Sequence, residues 1–258
     1  MKKLLFWIVL IVGIVALVGS CAKKDDSEST ASTASTASVT SCSDTASGSI
    51  TGIDNQSVSG TYSVMLQYVG YGDIDNDTGC TTNTTLLSNF SSKMPTGAVS
   101  FNQLRVVTSS TSFADVYKSY SDTACSTEMA SLVIGNTDVT ISDNVTGLTT
   151  GDASIGTTGT KATAKQYCQK GKGTTDNGTA WLNTFTSGSG LTYVTGEEKI
   201  TQASGTTYYY LWHSDNSSKS QVGTSGYQDF LGNSWRSRSS SSTLPDDWDE
   251  SGVDSFQR

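Results

Sequence analysis

Histidine and proline are scarce in this chain, which has one His, His213, and two Pro among 258 residues. The usual zinc centres take several His or closely spaced Cys ligands, so the chain lacks the material for one. Ser214 and Asp215 follow His213, but neighbours on a strand point to opposite faces, so the run does not suggest a Ser-His-Asp relay. We therefore expect no enzymatic activity and no cofactor, with His213 on the surface or in the core.

Positive charge is also scarce. The chain has 16 Lys and Arg against 24 Asp and Glu, a formal net charge of −8. Without residues 1 to 20, which contain Lys2 and Lys3, the balance is 14 against 24, or −10. A protein with this charge repels phosphate backbones, which excludes nucleic acid as a favoured partner.

One long apolar run is present, from residue 4 to 19, between Lys2-Lys3 and the charged residues that begin at Lys23. This three-part order is typical of an export signal. Val18-Gly19-Ser20-Cys21 resembles the lipobox of bacterial lipoproteins. The resemblance implies a signal peptide over residues 1–20 and lipidation of Cys21, which would become the first residue of the mature protein.

An uncleaved N-terminal anchor helix is the alternative to the lipobox interpretation, and both tether the chain to a membrane. The predicted location is the bacterial cell envelope. We favour the outer membrane, because residue 22 is Ala and not the Asp that resembles an inner-membrane retention signal.

Four cysteines follow Cys21, at positions 42, 80, 125 and 168. Export to an oxidising compartment predicts disulfides among Cys42, Cys80, Cys125 and Cys168, with three possible connectivities. We favour a Cys80–Cys168 bridge, because Cys42 lies in a segment that looks too flexible to join the core. The alternative is that one or more of the thiols stay reduced.

Composition divides the mature chain into three parts. Residues 21–48 are rich in Ser and Thr and predict a flexible, disordered tether behind the lipid anchor. Residues 49–237 are predicted to form the folded domain. Residues 238–258 form an acidic tail, expected to be disordered or loosely docked, with a short helix beginning near Pro245 as the alternative.

The apolar pattern of the domain has a period of two, and helical periodicity is nearly missing. In "GTYSVMLQYV", Tyr62, Val64, Leu66 and Tyr68 alternate with polar or smaller residues, which predicts a strand with one buried face. "AVSFNQLRVV" changes phase between Phe101 and Leu104, as a bulge would. Roughly eight to ten short strands, "AWLNTF" among them, predict an all-β antiparallel barrel or, alternatively, a β-sandwich.

Two short motifs suggest a family. Gly60 and Tyr62 in "SGTYS" resemble the Gly-x-Trp motif of lipocalins, with Tyr62 where the tryptophan would stand. "YSDTACST" is similar to a stretch of uncharacterised lipocalin-like lipoproteins of Gram-negative bacteria, and the matching residues are Tyr120, Ser121, Asp122, Cys125, Ser126 and Thr127. The resemblance implies an up-and-down barrel whose interior holds one small apolar ligand.

Two ligand sites are predicted from the residues. Tyr208, Tyr210 and Trp212 share one face of "YYYLW" and would line a cavity, or else form an ordinary packed core. Asp73, Asp75 and Asp77 alternate in a loop and form a weak calcium candidate, which a plain polar loop explains equally well.

Two functions are open at this point. The first is binding of a small apolar molecule or lipid by a monomeric barrel anchored to the membrane. The second is a structural or surface interaction role, in which side chains fill the barrel and its loops contact an envelope protein.

Overall fold

The computed structural model describes residues 41–64, 80, 82, 94–148, 158–187, 191–203, 205–215, 234–243, 245 and 253–257. Cys21, the predicted signal peptide and the calcium candidates Asp73, Asp75 and Asp77 lie outside these residues. Within the described ranges, no helix has the length and apolar character needed to cross a membrane.

The described part of the chain consists of β-strands and one helix, which confirms the all-β class. The strands are β1 (Ser49–Ile53), β2 (Gln56–Ser59), β3 (Thr61–Val64), β4 (Ser100–Ser109), β5 (Ser112–Tyr120), β6 (Glu128–Thr146), β7 (Thr158–Gly173), β8 (Glu198–Gln202), β9 (Thr207–Asp215), β10 (Ser234–Ser240) and β11 (Val253–Gln257). The helix α1 spans Asp176–Phe185.

The strands form two antiparallel sheets. β1 and β2 make a two-stranded hairpin of their own. The other nine form one sheet in the order β6-β5-β4-β3-β11-β10-β9-β7-β8, and β6 also pairs with β7 along most of its length. The long β6–β7 hairpin therefore connects the first strand of this order with the eighth.

The prediction of a strand at "AWLNTF" is wrong, because these residues belong to α1. The Thr175 side chain caps the helix by accepting a hydrogen bond from the backbone N of Gly178. The buried residues Gly178, Thr179 and Leu182 have helical spacing and face the sheet. A six-residue apolar run is too short for periodicity alone to distinguish the two structures.

The C-terminal segment also differs from the expectation. β11, at Val253–Gln257, pairs with both β10 and β3, and β10 extends to Ser240. This part of the acidic tail is therefore a strand of the main sheet. Strand pairing depends on partners far away in sequence, which a local pattern does not reveal.

The bulge predicted between Phe101 and Leu104 is absent, since the β4–β5 register is continuous from Ser100 to Val107. The irregularity lies later, between Val107 and Ser109. Val106 and Val107 are both buried although they point to opposite faces. The change of phase in the sequence therefore reflects a strand covered on both faces.

Two faces of the sheet are distinguished below, since directly paired residues lie on the same face. The aromatic face carries five buried rings, those of Tyr62, Phe113, Tyr210, Trp212 and Trp235. The disulfide face carries Cys168 with the small and branched residues Val106, Ala114, Val116 and Val133.

Candidate functional site

The five rings of the aromatic face form one cluster. The centre of the Phe113 ring lies 5.6 Å from the ring centre of Trp235, 5.7 Å from that of Trp212 and 5.9 Å from that of Tyr210, and each pair packs edge to face. Trp212 is fully buried, and its Nε1 donates a hydrogen bond to Ser237 Oγ at 3.0 Å. Edge-to-face packing adds about 0.5–1.5 kcal/mol per pair beyond burial. The cluster is thus a tightly packed part of the core.

The structure brings together the three residues predicted to line a cavity. Tyr210 and Trp212 belong to the aromatic cluster, while Tyr208 lies at its edge, with its ring 6.4 Å from that of Tyr210. Burial raises the pKa of Tyr208 to about 12, because the charged phenolate would lose its hydration there. An uncharged, aromatic surface of this kind suits apolar contacts.

The β1–β2 hairpin covers the aromatic cluster. Ile50, Ile53 and Val58 are almost completely buried and pack against the rings. Asp54 and Asn55 form its two-residue turn, both with positive φ, as a type I′ turn requires. Full burial of such side chains contributes about 1.5–3 kcal/mol each. We call residues 49–59 the plug hairpin, because they fill the space above the rings.

A polar contact fixes the tip of the plug hairpin. Asp54 Oδ2 lies 2.6 Å from Nδ1 of His213, a close contact without hydrogen-bond alignment. The same oxygen accepts a hydrogen bond from the backbone N of Ser214 at 3.3 Å, and Asp54 N donates to Thr160 Oγ1 at 2.7 Å. These contacts with β7 and β9 hold the tip of the hairpin in place.

A buried ion pair lies beside the cluster. Arg105 Nε donates to Asp115 Oδ1 at 2.7 Å, and Arg105 Nη2 lies 3.3 Å from Oδ2. The guanidinium carbon is 5.0 Å from the centre of the Phe113 ring and 5.1 Å from that of Trp235. The aromatic wall thus includes a cation–π contact whose charge is balanced by a carboxylate. The sequence prediction missed both residues.

The disulfides are Cys42–Cys168 and Cys80–Cys125. The favoured Cys80–Cys168 bridge is therefore wrong. Cys42 is buried against the disulfide face, although its sequence surroundings predict a flexible tether. Asp44 adds an ion pair with Lys170 at 2.9 Å. Residues 42–48 are thus held on the domain by the disulfide at Cys42 and the ion pair at Asp44, in spite of their polar composition.

Gly135 makes room for the first disulfide. It pairs with Cys168 across β6 and β7. A Cβ atom at this position would lie 2.3 Å from Cys168 Sγ and 3.2 Å from Cys42 Sγ. A side chain on residue 135 would occupy the place of the bridge.

The chain crosses from one face of the sheet to the other just before the plug hairpin. Ser47 N donates to Val107 O at 2.9 Å. Gly48 has φ +69°, and a Cβ there would lie 3.2 Å from the backbone of Ser109 and of Ser110 in the β4–β5 turn. Gly48 permits both the left-handed conformation and the close passage. We call residues 42–48 the strap.

The "YSDTACST" motif forms a tight loop between β5 and β6. Asp122 accepts hydrogen bonds from the backbone N of Ala124, Ser126 and Thr127. The bonds from Thr127 and Ser126 lower the pKa of Asp122 well below its usual range. The loop presents Cys125, with φ +50°, to Cys80. In this structure the motif residues shape a disulfide-bonded turn.

No group of three or more His, Cys, Asp or Glu residues that could hold a metal ion occurs in the described ranges. No family model matches this chain, and no curated protein matches it either.

A local signal for the plug hairpin is present in the sequence. Asp54-Asn55 between alternating apolar residues is typical of a two-residue hairpin. The partners of Asp54 lie on β7 and β9, more than a hundred residues away. Their proximity therefore required the tertiary structure.

Proposed function

We propose that this protein is a bacterial lipoprotein, anchored to the outer membrane through lipidated Cys21, whose β domain binds a small apolar molecule or lipid without catalysis. The supporting observation is the neutral aromatic cluster on one face of the sheet, covered by a separate hairpin. Ile50, Ile53 and Val58 are fully buried on the rings, as apolar ligand groups would be.

We also propose that the main sheet closes into a lipocalin-like barrel with the aromatic face inside. The order from β6 to β7 contains eight strands, and the β6–β7 pairing supports a ring. β9 pairs with Thr160–Lys165 of β7, and β8 pairs with Cys168–Lys172 of the same strand. β8 would then lie on the same side of β7 as β9, beyond the end of β9. Eight strands leave room for side chains or for one small ligand.

The proposal assigns no catalytic role to His213. Nδ1 of His213 faces the Asp54 carboxylate at the hairpin tip. The carboxylate that could orient a catalytic histidine therefore belongs to the plug hairpin and contributes to holding it. This arrangement supports a structural role for His213.

A structural or interaction role in the envelope is the second candidate. The complete burial of Trp212, Trp235 and Phe113 favours it, because a filled interior leaves binding to the outer loops. The carried ligand distinguishes the two candidates. Native mass spectrometry of the mature chain should detect an adduct of a few hundred daltons that denaturation removes. The bare polypeptide mass, even after incubation with envelope lipid extract, would favour the second candidate.

The anchor has a test of its own. Cys21→Ser should leave an unlipidated precursor with its signal peptide attached, and the mass of the wild-type protein should include the lipid. An unchanged mass and unchanged membrane retention in the variant would contradict lipidation at Cys21.

A further inference from the structure

We propose that the plug hairpin is a removable occupant of an apolar binding site, and that the Cys42–Cys168 disulfide keeps it in place through the strap. The site is the aromatic cluster, and the ligand class is an uncharged apolar molecule such as an acyl chain. This inference rests on the proposed function, because it identifies where the apolar molecule binds and what competes with it.

The plug hairpin is separable from the sheet that it covers. β1 and β2 pair with each other in a sheet of their own. Their attachment to the aromatic face combines the three apolar side chains with the polar contacts of Asp54. A hairpin of two strands is at best marginally stable by itself. Because β1 and β2 share no ladder with the main sheet, departure of the plug hairpin would leave the strand pairing of that sheet intact.

The strap connects this unit to a fixed point on the opposite face. Cys42, the first residue of the strap, is bonded to Cys168 on β7, and only residues 43–48 separate it from Ser49. The ion pair of Asp44 with Lys170 and the bond from Ser47 hold the strap along its course. Such a short connection raises the effective concentration of the plug hairpin at its site. Breaking the disulfide removes this fixed point.

The Cys42–Cys168 disulfide, which we call the clamp, also separates the plug hairpin from the membrane tether. With the proposed lipidation of Cys21, a pull from the anchor would reach the domain first at Cys42, which is bonded to Cys168 on β7, and not at β1. Without the bridge, the same pull would act on the strap and then on the hairpin. The position of Cys42, at the start of the strap, gives the disulfide this role.

Charge limits the ligand class. The rings are uncharged, and the adjacent Arg105 guanidinium is neutralised by Asp115 at 2.7 Å. An ionic head group placed among the rings would lose its hydration without a counter-charge, which is costly. The site therefore suits an uncharged apolar group.

The experiment compares two disulfides of the mature chain. We would export it with Cys21→Ser behind an ordinary secretory signal peptide, which avoids detergent. The clamp variant is Cys42→Ser with Cys168→Ser, and the matched control is Cys80→Ser with Cys125→Ser. Two quantities are measured: hydrogen exchange of residues 49–59, and the affinity for the neutral fluorescent probe 1-N-phenylnaphthylamine.

The clamp variant should exchange residues 49–59 at least about tenfold faster than the wild type, while the control stays within about twofold. Because only the open form binds, the apparent affinity for the probe should rise by the same factor as the open population. If the exchange rate and the probe affinity rise by the same factor, the result would support competition between the plug hairpin and the probe for the aromatic cluster. Equal opening in both variants, or no faster exchange in the clamp variant, would overturn the clamp.

A second design avoids a variant that fails to fold. A site-specific protease sequence replaces residues 43–47, and the folded, disulfide-bonded protein is cut afterwards, with the uncut sample as control. Cutting should accelerate exchange in residues 49–59 and increase probe binding. Faster exchange without probe binding would overturn the apolar site and the proposed ligand function, yet leave the clamp standing. Unchanged exchange after cutting would overturn the clamp and leave the ligand function untouched.

Discussion

Asp54 and His213 are separated by most of the domain in sequence, yet Oδ2 of one lies 2.6 Å from Nδ1 of the other. Asp54 stands at the tip of the plug hairpin and His213 near the end of β9. The only histidine of the chain therefore contacts the segment that covers the aromatic cluster. Both side chains are mostly buried, so their contact is little weakened by solvent.

Asp54→Asn should lower the free energy of unfolding by about 1–2 kcal/mol, because an amide replaces the carboxylate that contacts His213 and accepts the hydrogen bond of Ser214 N, while the turn geometry is kept. His213→Gln should have a similar effect. The double variant should cost less than the sum, with a coupling of about 1 kcal/mol in a urea-unfolding cycle. Strict additivity would mean that the two side chains do not stabilise each other.

Arg105→Met should destabilise the domain by about 3–5 kcal/mol, since it leaves the Asp115 carboxylate buried without its counter-charge. Arg105→Met with Asp115→Leu should recover much of this loss. Lys118→Met is the control, because its ion pair with Glu128 is longer, at 3.8 Å, and more exposed; it should change stability by less than about 1 kcal/mol. Urea unfolding measures all three. A double variant as unstable as Arg105→Met would contradict the explanation.

Gly178→Ala should destabilise the protein although alanine favours helices. The added Cβ would lie 1.9 Å from the carbonyl O of Met129 on β6, so helix and strand would have to separate. Overpacking of this kind costs about 1–3 kcal/mol, more than the roughly 1 kcal/mol gained in helix propensity at most sites. Thr184→Ala, at an exposed site of α1, is the control and should change the melting temperature little. A higher melting temperature for Gly178→Ala would show that the helix can move.

Asp122 should make the stability of the domain depend on pH in the acid range. Its pKa is lowered in the folded state by the hydrogen bonds from Thr127 and Ser126. The contribution is therefore complete above the unfolded pKa of about 3.9 and is lost as the pH falls through the lower, folded value. Asp122→Asn should flatten the pH dependence of unfolding below about pH 4. An unchanged slope in this range would contradict the assignment.

Local patterns were sufficient for the elements with one clear face or a strong turn. "FADVYKSY" and "TTYYYLWH" are strands, as their short aromatic and branched runs between turn residues predict. "AWLNTF" failed because its apolar spacing fits both a helix and a strand, and the Thr175 cap decides between them. The favoured Cys80–Cys168 bridge failed because polar composition around Cys42 conceals a segment that is fixed by tertiary contacts.

The sequence by itself determined the all-β class and the even set of cysteines after Cys21. It also determined that Tyr208, Tyr210 and Trp212 share one face. Each of these results follows from composition or from a period of two. Only the tertiary structure decided that Cys42 bonds to Cys168, that Val253–Gln257 joins the sheet between β3 and β10, and that His213 contacts Asp54. These contacts join residues far apart in the chain. Their formation depends on the packing of the whole domain, which no local pattern encodes.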